Sequence, residues 1–194
     1  MALPDSAKQV TGTSYIFAFD TDWPASPTQG WSATVDAEID MGGLTDTNAR
    51  QSAKCDLTAN RDLEYLVEMS IETDTDATSG ATVDVYAGYS DSATAGTGNP
   101  AMLSGTDAAY SGGSAGTLAE GIKLLEYVGS LVLQAANDAD AEPQVGVIGR
   151  ISPSKRYMMI VVVNNSGATL GSGGTGLADE LAVRVTGITT QIQD

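Results

Sequence analysis

The stretch RYMMIVVVNN, Arg156 to Asn165, decides how the rest of the chain reads. Its apolar run, Tyr157 to Val163, is far shorter than the roughly 20 residues a helix needs to cross a bilayer. Ile160 and the three valines after it are β-branched. Such side chains crowd in a helix and pack well on a pleated sheet. A run with no polar alternation has no wet face. It therefore reads as a central strand covered on both sides.

Working outward, strand signals dominate. In EYLVEMSIET, Tyr65, Val67, Met69 and Ile71 alternate with Leu66, Glu68, Ser70 and Glu72, a period of two with one apolar face. ATVDVYAGY repeats the pattern, with Val83, Val85, Ala87 and Tyr89 on one face. TSYIFAF (Thr13–Phe19) and ATVDAEIDM (Ala33–Met41) read as strands, the second with Val35, Ala37, Ile39 and Met41 aligned. LLEYVGSLVLQA, QVGVIGRI and ELAVRVTGIT follow in the second half, and turn clusters such as ATSGA, NNSG and GSGGTG punctuate the chain. The one helical signal is TLAEGIKLLEYVGS. Thr117 and Glu120 have the spacing of a capping box, and Gly121 limits the helix to a turn or two. About eight short strands with almost no helix predict an all-β fold: an antiparallel β-sandwich of jelly-roll type.

Between the halves lies SDSATAGTGNPAMLSGTDAAYSGGSAGT, Ser90 to Thr117, rich in Gly, Ala, Ser and Thr and charged only at Asp91 and Asp107. Neither half is self-sufficient, so the tract reads as a long Gly/Ser/Ala-rich loop within one domain, not a linker. Structureless loops of this length are uncommon and usually functional. The expected organisation is a flexible N-terminal arm over residues 1–13 and a single sandwich over 14–194. The arm and the loop are the expected partner contacts, through Leu3, Pro4 and Val10 in the first and Asn99, Pro100, Met102, Leu103 and Tyr110 in the second.

Composition excludes much chemistry. The 194 residues hold one cysteine and no histidine. Intrachain disulfides, Ser-His-Asp and Cys-His pairs, and histidine-based zinc sites are all ruled out. Twenty-five acids against nine bases give a net charge of −16, and no Lys or Arg occurs between Arg61 and Lys123. Phosphate backbones and anionic membranes repel such a chain, so neither nucleic acid nor membrane is an expected partner. The N-terminus lacks the basic and apolar regions of a signal peptide, and a soluble protein made in the cytoplasm is expected.

Several motifs match by letter and fail by context. The Asp74 stretch DTDATSGATVDV puts Ser79 and Val85 where a calcium loop needs Gly and Glu. Asp138, Asp140 and Glu142 read as an acidic turn. Asp20 and Asp22 could clasp a cation, but nothing in the sequence fixes their geometry. GSGGTG, Gly171–Gly176, is followed by a strand pattern and not by the helix a dinucleotide site requires. SPSK, Ser152–Lys155, lacks the helical turn that would bring the lysine to the serine. No catalytic or metal residue, and no cofactor, is expected. Trp23 and Trp31 flank PASPTQG. On exposed loops they could stack on a sugar; the favoured reading has them capping the core.

Two stretches carry a resemblance. GATVDVYAGYSDSATAGTGNPAMLSGTDAAY, and YVGSLVLQA followed by VGVIGRISPSKRYMMIVVVNNSGA, resemble small structural proteins of tailed bacteriophages over Gly80–Ala168. The resemblance implies a virion protein, a capsid decoration or cement protein on the outer shell. It would bind the major capsid protein and neighbouring copies of itself, and it would have no enzymatic role. The alternative is a carbohydrate- or receptor-binding module on a tail or fibre, using Trp23 and Trp31.

Overall fold

A computed structural model describes residues 7–58, 61–113, 116–134, 143–171 and 180–192. Eleven strands form within them: β1 (Ala7–Ala18), β2 (Ala37–Glu38), β3 (Ala49–Gln51), β4 (Cys55–Asp56), β5 (Glu64–Ile71), β6 (Thr82–Ser90), β7 (Ala108–Ala109), β8 (Glu126–Val132), β9 (Gln144–Ile151), β10 (Tyr157–Asn165) and β11 (Ala182–Ile192). They make two sheets, ordered β2-β1-β11-β5-β9 and β7-β3-β10-β6-β8, with β4 also paired to β10. Every pairing is antiparallel except the short bridge between β1 and β2. The fold is an all-β sandwich.

The period-two residues face inward as their spacing predicts. Tyr65, Val67, Met69 and Ile71 meet Val83, Val85 and Ala87 in one core that also holds Phe17, Val183 and Val185. The central run behaves as its composition demands. Met158, Ile160 and Val162 point into the sandwich, while Met159, Val161 and Val163 point out and are still buried. At about 25 cal/mol per Å² of apolar surface removed from water, leaving that outer row bare would forfeit several kcal/mol.

The long tract supplies the cover. Leu103 and Tyr110 pack on Met159, Val161 and Val163, with Tyr86, Leu118, Ile122 and Leu125 around them. Ala108–Ala109 forms the edge strand β7 on β3. The helical turn α1 (Leu118–Gly121) starts with the expected capping box: the Thr117 side chain accepts from Glu120 N, and Thr117 N donates to the Glu120 carboxylate. The tract is thus a folded lid over one sheet, not a loop extended toward partners.

The other sheet has its own cover. Trp23 and Trp31 pack with Ile16, Ala18 and Ala182 on its outer face. The Trp31 ring lies 4.5 Å under the Arg184 guanidinium, which also pairs with Glu68 at 2.6 Å. Thr28 N donates to Glu180, and Gln29 Nε2 donates to Ser70 Oγ, fastening the loop to β5 and the start of β11.

Two expectations need correction. The arm over residues 1–13 is not free throughout: from Ala7 it is strand, paired with β11 from Ala7↔Ile192 onward. Its polar sequence hid a strand held by backbone hydrogen bonds rather than by apolar side chains. Ala33–Met41 is not a full strand either. Only Ala37–Glu38 pairs, although Ala37, Ile39 and Met41 are buried, and Val35 turns outward to the tryptophans.

Candidate functional site

Strand β1 pairs with β11 along Ala7–Phe17, whereas β5 reaches β11 only up to Ile188. Beyond that point β1 and β11 continue as a two-stranded ribbon. On its other side, β1 pairs with β2 only at Phe17 and Ala18. Among the described residues, the stretch before Ile16 therefore offers a strand edge with no sheet neighbour. Its sequence, AKQVTGTS, carries no acid.

The root of the ribbon is built around Asp62. Its carboxylate lies against Gly12 on β1 and Gly187 on β11, where a methyl group on either glycine would overlap Asp62 Oδ2. Thr189 Oγ1 donates to Asp62 Oδ1, and Asp62 N donates to the Tyr65 hydroxyl at 3.0 Å. Burial pushes that hydroxyl's pKa up to about 12, so it stays protonated across the physiological range. The β1–β11 register shifts between Thr11 and Ser14, a bulge that re-aims the ribbon at this point. Beside it opens a groove of about 380 Å³ lined by Arg61, Asp62, Leu63, Glu64, Ile188 and Thr189. Leu63 stands over the surface at 90% exposure. An open strand edge, a groove and a bare leucine together suit a docking site for another protein.

The sequence-predicted contact residues fare unevenly. Leu3 and Pro4 lie outside the described residues. Val10 is half-buried on the ribbon. Asn99 and Pro100 are half-buried, and Asn99 Nδ2 donates to Leu103 O at 2.7 Å within the lid. Leu103 and Tyr110, expected as partner contacts, are 3% and 4% exposed and belong instead to the buried cluster under the lid. Of the five predicted contacts in the lid only Met102 is exposed, on a turn where Ala101 and Met102 both hold positive φ. Trp23 and Trp31 are each 6% exposed, so neither offers a ring face to a sugar. They cover the outer face of a sheet, not the sandwich core that the sequence suggested.

Other polar groups are consumed internally. Arg50 grips Asp107 with two hydrogen bonds, Nε at 2.6 Å and Nη2 at 2.5 Å, and stands 3.8 Å from Asp40. Asp40 and Arg50 line a second groove, of about 280 Å³ beside β3, and Asp107 ties down the guanidinium. Burial raises the Asp40 pKa, with Arg50 opposing. Lys155 pairs with Asp91 at 3.4 Å, and no helix forms over Ser152–Lys155. Among the described residues no three of His, Cys, Asp and Glu gather as a metal site. Asp138, Asp140, Glu142 and most of the GSGGTG stretch lie outside the described residues. The ribbon root went unseen in the sequence because its parts, Gly12, Asp62 and Gly187, are far apart along the chain. The segment before Ser14 reads in the sequence as a polar arm, with no period to mark a strand.

No protein-family model matches the chain, and a search of curated proteins finds no match.

Proposed function

We propose that this chain is a non-enzymatic structural protein of a tailed-phage particle, a decoration or cement protein that binds the outer shell. The observation that carries the reading is the β1–β11 ribbon, which runs on past the sandwich with its β1 edge open. An open edge takes up another chain's strand by backbone hydrogen bonds, and flanking pockets add specificity. The groove beside Leu63 supplies such a pocket. The resemblance of Gly80–Ala168 to phage structural proteins supports the same assignment. So does the order of the eight principal strands. With the two-residue strands β2, β4 and β7 set aside and the rest counted along the chain, the first, eighth, third and sixth share one sheet, and the second, seventh, fourth and fifth share the other. We infer that this is a jelly-roll winding, an architecture common in viral shells. The partners are then the major capsid protein and adjacent copies, and the place is the outer capsid surface.

The test is binding to particles stripped of this chain. Deleting residues 1–13 should abolish binding. Leu63→Asp, at a residue already exposed, should leave melting unchanged and weaken binding by at least about tenfold. Full binding by both variants would remove the ribbon from the mechanism.

A further inference from the structure

The lid covers its sheet only as far as Tyr86 on β6. Past that margin, the rim of the sheet presents a flat array of polar and aromatic side chains. β6 turns Val83, Val85 and Ala87 into the core, so Thr82, Asp84 and Tyr86 face outward by the alternation of a strand. The register sets Ser130 of β8 beside Asp84 and Tyr127 of β8 beside Tyr86, and it sets Asn165 of β10 beside Thr82. At about 3.4 Å per residue along a strand and about 4.8 Å between strands, this platform measures roughly 14 by 10 Å, the scale of a short oligosaccharide.

Its polar groups form one chain of hydrogen bonds. Ser130 Oγ donates to Asp84 Oδ1, which leaves the Tyr127 hydroxyl as the donor to Ser130 Oγ. Asn165 Nδ2 donates to Asp84 Oδ2 at 2.9 Å. The Asp84 carboxylate is thus fixed in orientation by one bond to each oxygen. Each oxygen can accept a second, which leaves room for donors from outside. The Tyr127 ring leans on Tyr86, with centroids 5.3 Å apart and planes tilted by 55°, and is still 56% exposed. β8 itself is braced from behind. It ends its sheet where β9 ends the other, and the two edges cross so closely that a methyl group on Gly129 would overlap Ile148 O. A surface held this firmly loses little freedom when it binds.

We propose that this platform binds a neutral saccharide. A pyranose has a face of C–H bonds and a rim of hydroxyls. The C–H face packs on an aromatic ring. The hydroxyls donate to a carboxylate in charge-assisted hydrogen bonds, which are stronger than neutral ones. Tyr127 and Asp84 offer those two partners on one surface, with Ser130, Asn165 and Thr82 around them. Ring surface for contact and a few fixed polar groups for orientation are the usual parts of a small-ligand site. Charge restricts the class. The chain carries −16 and none of the platform residues is basic, so sugars bearing carboxylate or sulfate are repelled. The platform stands apart from Trp23 and Trp31, whose rings are buried, and on the opposite sheet from the ribbon. A chain held on a particle by its ribbon therefore keeps this face available, and repeated copies turn a weak sugar site into avid adhesion.

The test needs no particle. The full chain is titrated with neutral oligosaccharides of glucose, mannose, galactose and N-acetylglucosamine, and with sialylated lactose as the anionic control, while amide shifts are followed by NMR. At least one neutral oligosaccharide should bind with a Kd of about 1 mM or tighter and move amides of β6 and β8. Tyr127→Ala removes the ring, and Asp84→Asn removes the charge while keeping the shape. Each should weaken that binding by at least about tenfold. Circular dichroism should show both variants folded, since Tyr127 is more than half exposed and Asn is isosteric with Asp. Three results would overturn the proposal: no shift with any neutral oligosaccharide at about 10 mM, a Kd that neither substitution moves, or tighter binding of the sialylated control. Loss of particle binding by Tyr127→Ala in a chain that binds no saccharide would assign the face to the shell instead. A chain that binds saccharide and no particle would count against the ribbon reading and leave this site standing.

Discussion

Lys54 shows how a single side chain folds a glycine-rich tract. Its ammonium donates to Ser92 O at 2.7 Å, Thr94 O at 2.8 Å, Thr97 O at 3.0 Å and Ser90 Oγ at 3.1 Å. The first turn of the lid is thus wrapped around a cation, and Gly96 N and Ser104 N close it onto Ser104 O and Gln51 Oε1. Lys54→Met keeps the stem and removes the donors. It should cost about 2 kcal/mol, the scale of a hydrogen bond to a charged group. Hydrogen exchange should accelerate over residues 92–105 and stay slow in β5 and β11; unchanged exchange in the lid would contradict the role. Nothing in the sequence around Lys54 announces this, because its acceptors are backbone carbonyls about 40 residues away. Cys55, next to it, was legible: a lone cysteine reads as a small buried hydrophobe, and it is 1% exposed. Burial raises its pKa far above the ordinary 9.0. The unfolded thiol ionises first, so stability is intact below about pH 9 and falls as pH rises past it. Denaturation midpoints measured from pH 7 to 10.5 should decline above 9, and Cys55 should react with thiol reagents only at the rate of unfolding. Fast alkylation of the native chain would show that the site is open.

At the scale of elements, periodicity carried most of the long strands, missed the polar half of β1 and failed for the short ones. β5, β6, β9 and β10 lie where alternation or an apolar run placed them. β3, β4 and β7 are two or three residues long, and no period can show in so few positions. The covers were harder still. The apolar run in β10 required something on both faces, but Gly, Ser and Ala in the tract gave no sign that the tract was that cover. The decisive contacts come from Leu103 and Tyr110, isolated in a bland sequence. Two element-scale tests follow from the geometry. Gly129→Ala places a methyl group on Ile148 O where the two edges cross, and it should destabilise by about 2 kcal/mol or more in denaturant titration. A neutral result would mean that the edges are farther apart. Trp31→Ala removes a ring packed under Arg184 and beside Trp23, and it should cost about 3 kcal/mol. The parent emission should be blue-shifted and should move to the red at the same denaturant midpoint as the loss of β circular dichroism. An earlier fluorescence transition would mean that the tryptophan loop opens separately from the sheets.

For the molecule as a whole, the net charge of −16 and the missing histidines narrow the chemistry that the sequence leads one to expect. The order of strands was not readable, because pairing between distant segments leaves no mark in local pattern. The sheets bury their inner faces against each other and their outer faces under a loop and a lid. Among the described residues, what remains for contact is the periphery, where a ribbon with an open edge runs out at one end. Under the proposed role, that open edge is the surface offered to the shell. In a lattice of such copies many weak contacts would add, since each copy held in place meets the shell at high effective concentration. The central claim is that this chain is a repeated part of a particle. The most direct measurement is its copy number in purified phage particles, by quantitative mass spectrometry against the major shell subunit. Abundance near that of the shell subunit is the predicted result; a handful of copies per particle, or none, would contradict it.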